Sequence, residues 1–193
     1  MKNPFLFLFV LVTSLSFSQN EINWDGEYKI KLSDFQSPAT QIGSTNLYSI
    51  HSSCGIDFAF SMTNIEFLFT KNFNSKIGNT FKRSSSSIVA PDEIIAASLV
   101  NFSQFEFDLS ELYARKFRKK VQEEKGSFSS VNFFRPFYDE IQKEFVERDT
   151  NAGKDTDLGR KAEKLAKLHQ QVLKEIEELS AYCKDCKVVK KKS

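Results

Sequence analysis

The sequence predicts an α+β fold, with an N-terminal antiparallel β-sheet packed against a C-terminal set of about four helices. Three observations predict it. Between residues 22 and 81, short apolar or alternating runs are broken by Gly, Asn, Ser and Pro, the pattern of strands and turns. From residue 91 the apolar residues recur at three- and four-residue spacing nearly to the end, the pattern of amphipathic helices. Between the two lies a polar run from Ser84 to Ser87, which reads as a linker.

In the first region, residues 28–32 (YKIKL), 56–60 (IDFAF) and 65–69 (IEFLF) read as strands. The second and third are separated only by residues 61–64 (SMTN), short enough for a hairpin, so antiparallel pairing is expected.

In the second region, Pro91, Asp92 and Glu93 suit a first helical turn. A missing N–H costs nothing there, and negative charge meets the helix dipole favourably. A helix is expected from residue 91 to about 106. Asp108 and Glu111 have capping-box spacing, which predicts a break and a second start. Leu109, Leu112, Tyr113, Phe117 and Val121 then repeat helically, with Gly126 as the stop. A third helix fits residues 131–148, with Pro136 near its first turn. After residues 149–153 (DTNAG), a fourth spans about 157–182. Its stripe of Leu158, Ala162, Leu165, Leu168, Val172, Ile176 and Leu179 is a core-facing seam or, less commonly, a surface for self-association.

The N-terminus carries Lys2, an apolar run over residues 5–12, and small residues at Ser16 and Ser18. This reads as a cleaved export signal over residues 1–18, giving a periplasmic or secreted address. The run is shorter than the roughly 20 apolar residues of a membrane span. Gln19 follows rather than Cys, so no lipid-modified N-terminus is indicated. Residues 19–182 are enough for one α+β domain, and residues 183–193 form a Cys-x-x-Cys and lysine-rich tail.

The net charge of +2 includes Lys2 and the tail residues Lys187, Lys190, Lys191 and Lys192, so the globular part is mildly acidic and nucleic acid is not an expected partner. No glycine-rich phosphate loop occurs, and neither histidine, His51 nor His169, stands in a nucleophile motif.

Cys54, Cys183 and Cys186 predict at least one disulfide in an exported chain. A bridge from Cys54 to Cys183 or Cys186 would tie the last helix to the sheet. A Cys183–Cys186 redox pair and a structural zinc site that adds His51 and Cys54 are the alternatives.

Residues 107–118 (FDLSELYARKFR) resemble the bacterial secreted zinc-protease family catalogued as domain of unknown function 922, whose pattern is H-E-Q-x-H-F-D-I-x-E-L-Y-A-R-K-L-R. Gln104 matches its glutamine. Weaker echoes are Trp24 with residues 32–38 (LSDFQSP), residues 53–56 (SCGI) and residues 149–153. The resemblance implies a metallopeptidase-like scaffold of sheet on helices, export, and zinc-dependent proteolysis.

The chain departs from that pattern where the chemistry lies. Phe102 stands at the first histidine, Ser103 at the catalytic glutamate, Glu106 at the second histidine, and Glu111 at a candidate third ligand. A zinc peptidase needs two imidazoles one turn apart and a carboxylate to take the proton of the bound water. The expectation is therefore a chain with no catalytic residue, no metal and no cofactor, which binds a protein, peptide or envelope component. The alternative is a hydrolase with a non-standard metal site on Glu106 and Glu111, helped by His51 or His169.

Overall fold

Two three-stranded sheets stand beside three long helices in the computed structural model, which describes residues 20–57, 64–125 and 132–187. The expected signal over 1–18, most of the 61–64 turn, the stop at Gly126 and the end of the lysine tail lie outside the described residues. The fold is α+β, with the strands in the N-terminal half and the long helices in the C-terminal half.

The first sheet has β1 (Glu21–Asn23), β5 (Gly78–Lys82) and β4 (Cys54–Asp57) in the order β1-β5-β4, all antiparallel. The second has β2 (Gln41–Ile42), β6 (Ser87–Ala90) and β3 (Ser49–His51) in the order β2-β6-β3. In it β3 runs antiparallel to β6, but β2 runs parallel, so the expectation of one antiparallel sheet is corrected to two small sheets, one of them mixed.

Besides the long connection over residues 24–40, the chain passes between the sheets twice, through Ser52–Ser53 and through residues 83–86. The expected serine linker is this second crossover, made of a 3-10 turn (Arg83–Ser85) and the start of β6. Ser86 is fully buried because its hydroxyl donates to the Lys82 carbonyl and accepts from the Ser53 N–H, which ties the two crossovers together.

Two of the expected strands take other forms. Residues 28–32 do not pair with a strand. The Asp34 carboxylate accepts from the Lys31 N–H at 2.8 Å and from the Tyr28 hydroxyl at 3.0 Å, which turns the chain into a 3-10 helix (Leu32–Asp34). Ile30 is buried, and its N–H donates to the Gln104 side chain rather than to a sheet. Residues 65–69 belong to helix α1 (Asn64–Phe69). Alternation at Ile65, Phe67 and Phe69 would aim all three at one face of a strand. Only Phe67 turns inward, while the Lys125 ammonium takes the carbonyls of Phe67, Leu68 and Thr70.

Helix α2 (Glu93–Glu124) runs unbroken for 32 residues, so the expected break at Asp108 is corrected. Its cap is Asp92, whose carboxylate accepts from the Ile95 N–H. No Gly or Pro interrupts it, and the Asp108 carboxylate is turned to tertiary partners rather than to a backbone N–H. α2 is the central element: its apolar residues face both sheets and both following helices.

Helix α3 (Arg135–Thr156) takes Pro136 in its first turn, continues through residues 149–153 and returns antiparallel along α2, bringing Phe145 against Tyr113 and Tyr138 against Phe117. Helix α4 (Ala162–Glu178) closes the bundle with Leu165, Val172 and Ile176 buried. Its stripe is thus a core seam.

Between α3 and α4 the chain takes three left-handed residues in succession, Asp157, Leu158 and Gly159, the last at φ +89°. A side chain at Gly159 would stand 2.5 Å from the Ser98 carbonyl oxygen and 3.1 Å from Phe102 Cβ, both on α2. Gly159→Ala combines an unfavourable φ with a backbone clash. We expect it to lower stability by about 2 kcal/mol or more, read as the urea midpoint of unfolding.

Candidate functional site

The antiparallel packing of α2 on α3 sets the site. One turn of α2 separates Phe102 from Glu106, and one turn of α3 separates Gly153 from Asp149, so Phe102 faces Gly153 and Glu106 faces Asp149. The Phe102 ring is 2% exposed, stacks on Phe105 at 5.8 Å between centroids, and lies within 3.5 Å of where a Gly153 side chain would begin.

Ser103 and Glu106 point instead to the β3–β4 crossover. The Ser52 hydroxyl lies 2.8 Å from that of Ser103 and hydrogen-bonds the Glu106 carboxyl. A hydroxyl has one proton to give. When Ser52 donates to Glu106, Ser103 therefore donates to Ser52, forming a short relay that ends on the acid.

The Glu106 residue keeps some exposed surface, but its carboxyl is enclosed. Burial first, and the neighbouring Asp149 charge second, push it up to about 8, against the smaller opposing effect of the Ser52 hydrogen bond. Burial raises Asp149 to about 6, and no hydrogen-bond partner reaches its buried Oδ1 among the described residues. The two carboxyls titrate as a pair that holds about one proton near neutral pH. The Cys54 thiol shares this enclosure, and burial followed by the charges of Glu106 and Asp149 drives it well above the usual thiol range.

Glu111 is not part of this group. Five residues along a helix turn the side chain about 140°, and Glu111 lies in a second buried polar cluster. Its Oε1 accepts from Arg115 Nε at 2.9 Å and from Arg118 Nη1 at 2.8 Å. The two guanidiniums then donate to backbone carbonyls, Arg115 to Ile176 and Arg118 to Ile77 and Tyr182. The expected role of Glu111 as a capping-box residue is corrected to that of a counterion for two arginines.

Asp108 is likewise no cap. It accepts from Trp24 Nε1 at 2.7 Å and Gln104 Nε2 at 3.0 Å, and lies 2.7 Å from His169 Nε2. Burial alone would raise its carboxyl, but the bonds from His169, Gln104 and Trp24 outweigh burial and hold it below the usual range.

The histidines are therefore apart from Glu106. His169 is bound to Asp108 with its ring edge-on to Phe105, and His51 is exposed on β3.

The expected Cys54 bridge is corrected as well. Cys183 and Cys186 are at disulfide distance, with Cα atoms 5.1 Å apart, while Cys54 is free. Cys54 faces inward from β4, whereas the other two close a turn whose Cys186 carbonyl accepts from Asn72 and Asn74. The four-ligand set of His51 with the three cysteines is not brought together.

The donors at positions 102, 103 and 106 do not fit the zinc that the resemblance implies. A ring, a hydroxyl engaged with Ser52 and a single carboxyl offer no imidazole and at most one ligand side chain. Among the described residues, no group of three or more His, Cys, Asp or Glu side chains could hold a metal ion. What the arrangement can do is store and exchange a proton inside a joint between two helices and a sheet crossover.

Sequence reasoning identified Ser103 and Glu106 but missed Ser52 and Asp149. The available signal was residues 149–153, whose acid and glycine are spaced by four, as Phe102 and Glu106 are. Comparison of the chain with protein-family models, with curated proteins and with solved structures finds no match.

Proposed function

We propose that this chain is an exported, non-catalytic relative of the secreted zinc-protease family, acting by binding a protein, peptide or envelope component. The observation that carries this reading is the fate of the three motif positions. Phe102 fills the space under the α3–α4 turn, and Ser103 and Glu106 are committed to Ser52 and Asp149. A zinc-bound hydroxide needs ligands that hold the ion and leave one position open, and these side chains supply neither.

Residues 1–18 and the paired Cys183 and Cys186 support the exported setting. Among the described residues no helix is long and apolar enough to cross a membrane. The rival hydrolase built on Glu106 and Glu111 loses its second ligand to Arg115 and Arg118.

The test is metal analysis of the chain from Gln19 onward after incubation with zinc and dialysis, together with hydrolysis of an unfolded protein substrate. The expected result is no stoichiometric zinc and no hydrolysis that a chelator abolishes. Stoichiometric zinc that disappears in Glu106→Gln, or chelator-sensitive hydrolysis, would overturn the reading.

A further inference from the structure

One end of the molecule brings together two features that neither the fold nor the motif positions use. The first is the outer face of α1. Ile65, Leu68 and Phe69 follow the i, i+3, i+4 spacing of a single helical stripe, and they are 70%, 52% and 79% exposed. The helix is fixed in this orientation. Phe67 is buried on the opposite side, and the Lys125 ammonium, seated over the Phe67 and Phe73 rings, takes three carbonyls at the helix end. Three large apolar side chains are thus held outward by the body of the protein, an arrangement that marks an interaction surface.

The second feature is the start of the basic tail. Asn72 and Asn74, just beyond α1, each donate a side-chain N–H to the Cys186 carbonyl at 3.0 Å, and Asn74 also reaches the Ala181 carbonyl. The paired Cys183 and Cys186 close that turn, and Lys184 is tied to Asn23 at 3.1 Å. Phe69 and Asn72 are three residues apart, at most about 11 Å of chain, and the Asn72 side chain holds the Cys186 carbonyl at the point where the tail departs.

From Lys184 onward the sequence carries Lys184, Lys187, Lys190, Lys191 and Lys192 against the single acid Asp185. Exposed Lys71 adds to the positive charge beside α1, while Glu66, the acid on α1 itself, is paired with Lys76.

We propose that this end is a docking surface for an anionic phospholipid bilayer, with Ile65, Leu68 and Phe69 entering the interface and the tail lysines meeting the headgroup charge. The two features complement each other. A short apolar stripe or a short basic run alone gives marginal, reversible attachment, whereas both together hold a protein at an anionic surface. Charge selects this occupant: a purely apolar protein partner would leave the tail without a counterpart. The proposal is independent of the reading of positions 102, 103 and 106, since none of those residues takes part.

The test is co-sedimentation of the chain from Gln19 onward, which contains every described element, with phosphatidylcholine vesicles made with or without phosphatidylglycerol. Two variants accompany it, Ile65→Ser/Leu68→Ser/Phe69→Ser and Lys187→Gln/Lys190→Gln/Lys191→Gln/Lys192→Gln. All substituted residues are exposed or in the tail, and an unchanged melting temperature verifies that each variant folds.

The expected result is binding to phosphatidylglycerol-containing vesicles only, weakened about tenfold or more in each variant and released by molar salt. Failure to bind anionic vesicles, equal binding to neutral ones, or binding that survives the apolar substitutions would overturn it. So would dimerisation through the same stripe in a chain that ignores vesicles.

Discussion

Arg118→Ala should destabilise the fold by about 3–5 kcal/mol, the range for removing one partner of a buried ion pair. The Arg118 side chain is fully buried, and the loss is distributed over three elements. Its Nε and Nη2 donate to the Ile77 carbonyl at 3.0 and 2.7 Å, and its Nη1 donates to Glu111 at 2.8 Å and to the Tyr182 carbonyl at 3.0 Å. Truncation would orphan the buried Ile77 carbonyl and the half-buried Tyr182 carbonyl, and leave Glu111 with Arg115 alone. It would also open a cavity the size of the largest fully buried side chain in the protein, among the described residues.

Urea unfolding followed by circular dichroism measures this loss. Arg118→Lys should recover only a small part of it, because a point-like ammonium cannot reproduce the planar set of donors. A loss below about 1 kcal/mol for Arg118→Ala would show that the cluster is not what locks the C-terminal turn to α2.

Raising pH from about 5 to 9 should weaken the fold, and Glu106→Gln should remove most of that dependence. Glu106 titrates near 4.5 in its ordinary state and near 8 in the folded chain, and Asp149 near 3.8 and near 6. The folded state therefore holds protons that the unfolded state has released. Its advantage is fully present below the ordinary carboxyl values and is lost as pH rises through about 6 and then about 8.

One pKa unit corresponds to about 1.4 kcal/mol, so the loss amounts to several kcal/mol across that window. The groups facing Glu106 are Ser52 from the β3–β4 crossover, Cys54 from β4, Ser103 from its own helix and Asp149 from α3, and none is a cation that would neutralise the second charge. Unfolding midpoints across the pH series, with the wild type beside Glu106→Gln, test this. Wild-type stability that stays flat or rises with pH would contradict the shared-proton account.

The two predictions concern the two halves of the segment that resembles the zinc-protease motif, and those halves behave differently. From Asp108 onward the residues form a scaffold. Asp108 joins Trp24, Gln104 and His169, and Glu111 with Arg115 and Arg118 fixes backbone carbonyls from Ile77, just before β5, to the last 3-10 turn (Ser180–Tyr182). Buried polar groups of this kind must be fully satisfied or they destabilise, which is reason enough for such a segment to be specific in its residues without any metal. Upstream, Phe102 packs toward Gly153 on α3 and Ser103 turns to Ser52 in the β3–β4 crossover.

The sequence by itself determined the α+β class, the division between a strand-rich first half and a helical second half, the apolar seam of α4 and the start of α2 to within two residues, expected at Pro91 and found at Glu93 behind the Asp92 cap. Each is a local matter of periodicity, capping or proline, which a short window of residues carries.

The tertiary structure alone decided the rest. It made residues 65–69 a helix held by Lys125, turned residues 28–32 into a coil that bonds Asp34 and Gln104, ran α2 through Asp108, and paired Cys183 with Cys186. It also assembled Ser52, Ser103, Glu106 and Asp149 from three separate elements. The physical reason is common to these cases. A polar side chain such as Asp108, Glu111 or Lys125 can satisfy nearby backbone or reach a distant partner, and which it does depends on what the fold brings within hydrogen-bonding distance.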